Sequence, residues 1–326
     1  MGIGSGLSGQ LATALENSYG ANTTPTLFTE YLEQNLAIEP GTLESRGSGQ
    51  ITLRSGRSRR YAKSAGGTIR LPVMQRGMGK ILKQMFGTVV GPTQVGSTDE
   101  YRQTHTPALS TGRAGVSAVW QAGVPQVDGT VKPFTYHGCK VTAWELVQAL
   151  DANLALSLTL DAKPVSDTAT ALAVASYPAG LVPLAFIDAT VEIGGDAADL
   201  KELTISHQAA LNIDRRFLGN TKKEPIANGE WVFGGSFGKE FEDTDLYEAF
   251  LSGEEGSLHA LWSYGDITGD DAPFFLDITI PCLRYDGQTP NSSGSDIVMQ
   301  QIPFKALNNG TDAIITALYA TDDTAL

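Results

Sequence analysis

The sequence predicts a mainly β protein made of two tandem units, each with one short flanking α-helix, plus an extended N-terminal arm and long inter-strand loops. Three observations carry this. Much of the chain is Val, Ile, Thr and Phe separated by Gly, Asn, Asp and Pro, and glycine reaches 36 of 326 residues. That is the composition of strands broken by turns. Apolar residues recur at every second position in many short runs. One order of features also occurs twice: basic loop, strand, short helix, Cys-bearing strand, closing strands.

Residues 1–26 are rich in Gly, Ser and Asn and read as the extended arm. The first unit, 27–163, starts with alternation at Leu36 and Ile38, at Ile51 and Leu53, and at Ile69, Leu71 and Val73. In "GMGKILKQMFG" the residues Ile81, Leu82, Met85 and Phe86 share one helix face, and Gly87 suits the C-terminal turn. A polar loop follows over 88–112. Strands are then expected at Val116–Trp120, at "GCKVTAWELV", and at Leu154, Leu156, Leu158 and Leu160.

A connector at 164–182 leads into the second unit, 183–326. Leu203, Ile205, Leu211 and Ile213 alternate, then Trp231, Phe233 and Phe237. Leu246, Tyr247, Phe250 and Leu251 repeat the helix spacing of the first unit, with Asp243 or Thr244 as N-cap and Gly253 as the stop. "FFLDITIPCLRYD" carries Cys282 as "GCKVTAWEL" carries Cys139, and Gly229 matches Gly67. The two cysteines are expected as equivalent, buried thiols rather than a disulfide.

Net charge is −13, yet residues 46–70 hold seven Arg or Lys and no Asp or Glu. A smaller basic loop follows at "DRRFLGNTKKEP". A protein this acidic is a poor candidate for sequence-specific DNA binding, since such binding rests on neutralised phosphates. The basic segments therefore read as a nucleic-acid contact, a solvated loop or a contact to an acidic protein surface. No leader peptide or membrane-length apolar run is expected.

Catalytic chemistry finds no footing. His105, His137, His207 and His259 are scattered, without metal-ligand spacing. No nucleophile elbow, phosphate loop or H-E-x-x-H is present. The acidic loop "GDITGDD", 265–271, has too few oxygens at fixed spacing for a calcium loop. No enzyme, cofactor or metal is expected.

Long phrases in order give a family resemblance: "LRSGRSRRYAKSAGGTIRLPV", "VDGTVKPFTYHGCKVTAWEL", "TALAVASYPAG", "DRRFLGNTKKEPIANG", "RYDGQTPN" and "QIPFKAL". The chain resembles the tail tube proteins of long-tailed, non-contractile bacteriophages, particularly the branch from phages of actinobacteria. The resemblance implies units that are β-sandwiches or barrels with a flanking helix, and a structural virion protein assembled in the host cytoplasm. It also implies rings that stack into a tube for genome ejection. Partners would be further copies, the tape measure protein, the tail terminator and tail tip proteins, and DNA in transient passage, with no membrane.

Two units per chain favour three copies per ring, with pseudo-sixfold symmetry, over six. Arg54, Arg57, Arg59, Arg60 and Lys63, with Arg215, Arg216, Lys222 and Lys223, would meet carboxylates of the adjacent ring, while surplus acid faces the channel. The arm and the tail after Thr311 would cover neighbours. The reading from another class is a virion-surface carbohydrate-binding or adhesin β-sandwich. It would need exposed aromatics, whereas Trp120, Trp144, Trp231 and Trp262 sit mostly in strand patterns.

Overall fold

The computed structural model describes residues 5–326 apart from 46, 48, 50, 110–111, 165–170, 220, 268–271, 288 and 293–296. Its first stretch runs β1 (Gln10–Leu15), β2 (Leu27–Thr29), β3 (Glu33–Gln34), β4 (Ala37–Glu44), β5 (Ser58–Pro72), α1 (Gly79–Phe86), β6 (Gly87–Gln94), β7 (Tyr101–Pro107), β8 (Ala118–Pro125), β9 (Val131–Ala149) and β10 (Ala155–Ala162). Then come β11 (Ala189–Ile193), β12 (Asp196–Ala197), β13 (Leu200–Gln208), four two-residue strands β14 to β17 between 211 and 227, β18 (Val232–Glu240), α2 (Asp245–Ser252), β19 (Glu255–Asp266), β20 (Pro273–Tyr285), β21 (Met299–Ala306) and β22 (Thr316–Thr321).

Antiparallel pairing runs from strand to strand in the order β4, β5, β10, β9, β13, β18, β21, β20, with β3 prolonging the β4 edge. The long strands β9 and β20 also serve a second run each. The first half of β9 leads through β8 and β1 to β2, and most of β20 leads through β19 and β11 to β12. A bulge marks each change. Ala118 opposes Cys139 but Trp120 opposes Tyr136; Gly256 opposes Leu283 but Leu258 opposes Ile280. Bulges bend a strand and let it turn a corner. Cys139 therefore sits where Leu283 does, one position away from the expected match with Cys282. Both thiols are free and buried.

Two glycine pairs sit at matching points in β5 and β18. A Cβ on Gly66 would meet the Leu160 carbonyl at 2.2 Å, and one on Gly234 the Phe304 carbonyl at 2.6 Å. Gly67 lies against the Asn35 carbonyl at 2.8 Å and Gly235 against that of Thr204 at 1.9 Å. Only glycine allows this approach. The setting of Gly67 thus recurs at Gly235, whereas Gly229 lies in the loop before β18.

One core underlies the sheet. Ile81, Leu82, Met85 and Phe86 of α1 are buried, and the Phe86 ring meets Trp144 of β9 at 5.4 Å. Gly87, at φ +93°, ends the helix. At α2 the Asp243 carboxylate accepts from the Asp245 N–H at 3.1 Å, and Gly253 is left-handed. No residue of α2 is fully buried, and Leu251 is 63% exposed. Trp120, Trp144 and Trp262 are core residues; Trp231 lies just before β18, its ring 4.9 Å from His207.

Four expectations change. Residues 10–15 belong to no arm: β1 is paired on both sides, and Leu11, Ala12 and Thr13 are inaccessible. "QLATAL" has four consecutive buried residues, so it lacks the alternation that marks a half-exposed strand. The C-terminal segment is likewise internal. β22 lies between β20 and β7, and the buried Tyr319 hydroxyl donates to the Met74 carbonyl. The 88–112 loop is largely the β6–β7 hairpin docked on β22. Ile51 and Leu53 form no strand, and Ile51 is fully exposed.

The connector is sewn to the body. Ala173 donates to Gln121 and accepts from Gln10, and Tyr177 meets Phe28 edge-on at 5.8 Å. The acidic stretch at 268–271 lies outside the described residues.

Candidate functional site: an uncovered sheet face and a joined basic patch

Alternation in the long sheet sends large apolar residues to one side and small polar ones to the other. In β21, Ile302, Phe304 and Ala306 are buried while Met299, Gln301, Pro303 and Lys305 are exposed. Ser157 and Thr159 of β10, Glu145 of β9, and Ser206 and Gln208 of β13 share the exposed side. This face crosses the β9–β13 seam, where 143–149 pair with 202–208. Its charged groups include Glu33, Glu39, Glu145, Glu202 and Glu240 against Arg70, Arg284 and Lys305, five acids to three bases. Hydroxyls and carboxylates on a flat sheet make a wet, weakly repelling wall for a polyanion.

Behind the seam the groups are neutral. The His207 ring stacks on Phe233 with centroids 4.1 Å apart, and Nδ1 lies 3.0 Å from the Val232 carbonyl. Burial pulls His207 down to about 4 and His105 to about 3. Neither is placed for acid–base chemistry in a cleft. Among the described residues no three His, Cys, Asp or Glu gather as metal ligands.

The basic residues divide into two classes. β4 and the first half of β5 form a hairpin that carries Arg59, Arg60 and Lys63, with Arg54 and Arg57 in the segment leading into β5; all five are exposed. The loop between β13 and β18 reaches this hairpin. Arg216 donates from Nη1 to the Lys63 carbonyl at 2.9 Å and from Nε to Asp214 at 2.6 Å, holding the Asp214 carboxyl below its usual range. Arg215 donates to the Glu224 carbonyl, and Lys223 is exposed. The two basic segments thus lie side by side, joined by a contact between residues 153 apart in sequence.

Lys222 differs. Its amine donates to Asp161 Oδ1 at 2.6 Å and to the Ala162 carbonyl at 3.0 Å, and it is 7% exposed. It acts inside the chain, pinning the loop to β10, so it does not belong with the outward cations. Burial raises the Asp161 carboxyl above its usual range, against the opposing pull of Lys222. Lys140, also buried, holds Glu224 and the Gly115 carbonyl. Sequence reading missed Lys140 and Glu224 as loop anchors, since their partners lie 84 residues apart. The uncovered face was open to discovery in the alternating "SLTLD" and "MQQIPFK".

No curated protein matches the chain. The family described as phage tail tube protein matches residues 6–306, nearly the whole length. With this match and its mainly β fold, the chain belongs to the phage tail tube protein family.

Proposed function

We propose that this chain self-assembles into stacked rings that form the tail tube, and that the uncovered sheet face lines the channel through which genomic DNA is ejected. The family makes it a structural component of the virion tail and not an enzyme. No helix among the described residues is long and apolar enough to cross a membrane. The observation that carries the finer reading is the unbroken sheet with open ends and one acid-biased polar face. Strand edges left open in a monomer invite pairing, and closure into a ring removes them.

In this reading each chain supplies two tail-tube units, about 27–163 and 183–326, and three chains close a pseudo-sixfold ring. The matching strand orders, bulges and glycine pairs support that division. The joined basic patch reaches the adjacent ring, where Arg54, Arg57, Arg59, Arg60, Lys63, Arg215, Arg216 and Lys223 meet carboxylates. Each exposed pair contributes only about 0.2–1 kcal/mol, but many act together around a ring. Tape measure, terminator and tip proteins would meet the tube inside and at its ends.

Electron cryomicroscopy of the purified protein tests this. Hollow rods with β9 and β13 facing an acidic bore are expected. A bore lined by other strands, or one with net positive charge, refutes the assignment of this face.

A further inference from the structure

We propose that His259 is a proton-operated latch: as the imidazolium it ties the β11–β12 hairpin to β19 and β20, and on losing its proton it lets that edge loosen. The latch lies within one chain and stands apart from the ring reading.

Three adjacent strands bring the groups together. Glu192 of β11 stands directly opposite His259 of β19, and His259 stands opposite Thr279 of β20. Asp277, two residues back along β20, is therefore its diagonal neighbour. His259 Nδ1 lies 3.3 Å from Glu192 Oε2, and Nε2 lies 3.1 Å from Asp277 Oδ1. The carboxylates face opposite ring nitrogens, so the three groups cannot converge on one metal ion. A neutral imidazole has one N–H and one lone pair. It could donate to one carboxylate only, and its bare nitrogen would face the other. The doubly protonated ring satisfies both.

The surroundings favour that charged form. The other outward residue of β11, Thr190, is neutral, as is Thr279, whose hydroxyl donates to Asp277 at 3.3 Å. β22 sets Leu318 opposite Asp277. β12 and the turn before β11 add only acids, Asp196 and Asp188, and the Asp188 carboxylate is taken up by the Ala185 N–H. Burial pulls the His259 ring down, but Asp277 and Glu192 outweigh it and hold the ring above its ordinary value.

What the latch holds is an edge. β11 pairs along its length with β19 on one side, and on the other with the two residues of β12. Beneath this hairpin lies a pocket of about 300 Å³, lined by Phe186, Val191, Leu200, Leu203 and Trp262. An edge that spans a pocket has few apolar contacts to hold it, and such elements open most readily. The folded ring binds its proton more tightly than the unfolded chain does. The latch therefore contributes fully below pH 6.5 and is lost as pH rises through the raised value. This is the opposite sense to the buried His105 and His207. Both ion pairs are partly exposed, so salt should weaken them.

The test uses the dilute full-length subunit and needs no assembly. Histidine-ring NMR follows the His259 titration, and amide exchange, corrected for intrinsic rates, follows β11 between pH 6 and pH 8.5. The His259 ring is expected to titrate above 6.5, and Glu192→Gln and Asp277→Asn should each bring it down. Protection of the β11 amides should fall by about 2- to 30-fold across that range, as two partly exposed pairs are lost, while the β9–β13 seam stays unchanged. His259→Gln should show the low protection of the parent at pH 8.5 throughout. If that variant does not fold, Glu192→Gln carries the test, since it should flatten the β11 pH dependence as well as lower the titration. A ring that titrates at or below 6.5 overturns the latch. So does β11 protection that varies with pH alike in the parent and in His259→Gln or Glu192→Gln.

Discussion

Replacing Lys222 by Met isolates a contact that sequence alone places on the outside. The substitution keeps the apolar stem and removes the amine. Asp161, with 8% side-chain exposure, is then left without its cation, and its Oδ2 already lacks a partner. Breaking one side of a buried pair costs about 3–5 kcal/mol, because the surviving charge stays desolvated. For 326 residues the unfolding entropy near 60 °C is about 0.7 kcal/mol/K, so the melting temperature should fall by about 4–7 °C. Removing both partners, as Lys222→Met with Asp161→Leu, should recover most of that loss.

Calorimetry of the dilute subunit reads the shift without interference from assembly. The pH dependence adds a check. Asp161 is raised in the fold, so its charge opposes folding at neutral pH, and that penalty fades as pH falls through its raised value. Lys222→Met should deepen the penalty at pH 7 and lose most of its effect near pH 4. A single variant that melts within 1 °C of the parent, or a double variant no better than the single, would refute the internal role of Lys222.

Other outcomes follow from the same structure. Below pH 6.5 the unfolded chain protonates His105 and His207 while the fold keeps them neutral; at pH 5 this costs about 2 kcal/mol each, seen as an acid-side fall in denaturant midpoint. His207→Gln should flatten part of that slope. Reversing charge at Arg57, Arg59 and Arg60 should abolish rods by negative-stain microscopy while circular dichroism of the subunit stays unchanged; normal rods would refute the inter-ring role. Gly235→Val, whose Cβ would lie 1.9 Å from the Thr204 carbonyl, should prevent soluble expression, whereas Gly56→Ala, with open space around its Cβ, should cost under about 1 kcal/mol.

Legibility in the sequence followed burial. Both helices were readable because four apolar residues repeat at helical spacing in each, and glycines stop them. β10, β13 and β21 were readable because one face is wet and the other dry. β1 was not: it carries four consecutive buried residues, so no alternation marks it, and it looked like part of a loose arm. β22 was half legible: it alternates over its first four residues and then buries three in a row, and the tail reads as covering neighbours although its pairing is internal. The basic patch was half legible. Composition marks both loops, but nothing local tells Lys222 from Lys223, because the deciding partner, Asp161, lies 61 residues away. The register of the seam was hidden for the same reason, being set by pairings between residues up to 65 apart.

The pairing of β22 has a consequence for cooperativity. This strand joins β20 to β7, and the Tyr319–Met74 bond spans 245 residues. With the β9–β13 seam, it couples the two halves at two separate places. Neither half can melt alone without baring a long edge of the other, so local opening of one should be as costly as global unfolding. The subunit should therefore show one calorimetric transition and slow, late-closing refolding set by its distant contacts. Its slowest-exchanging amides should include those on both sides of the seam.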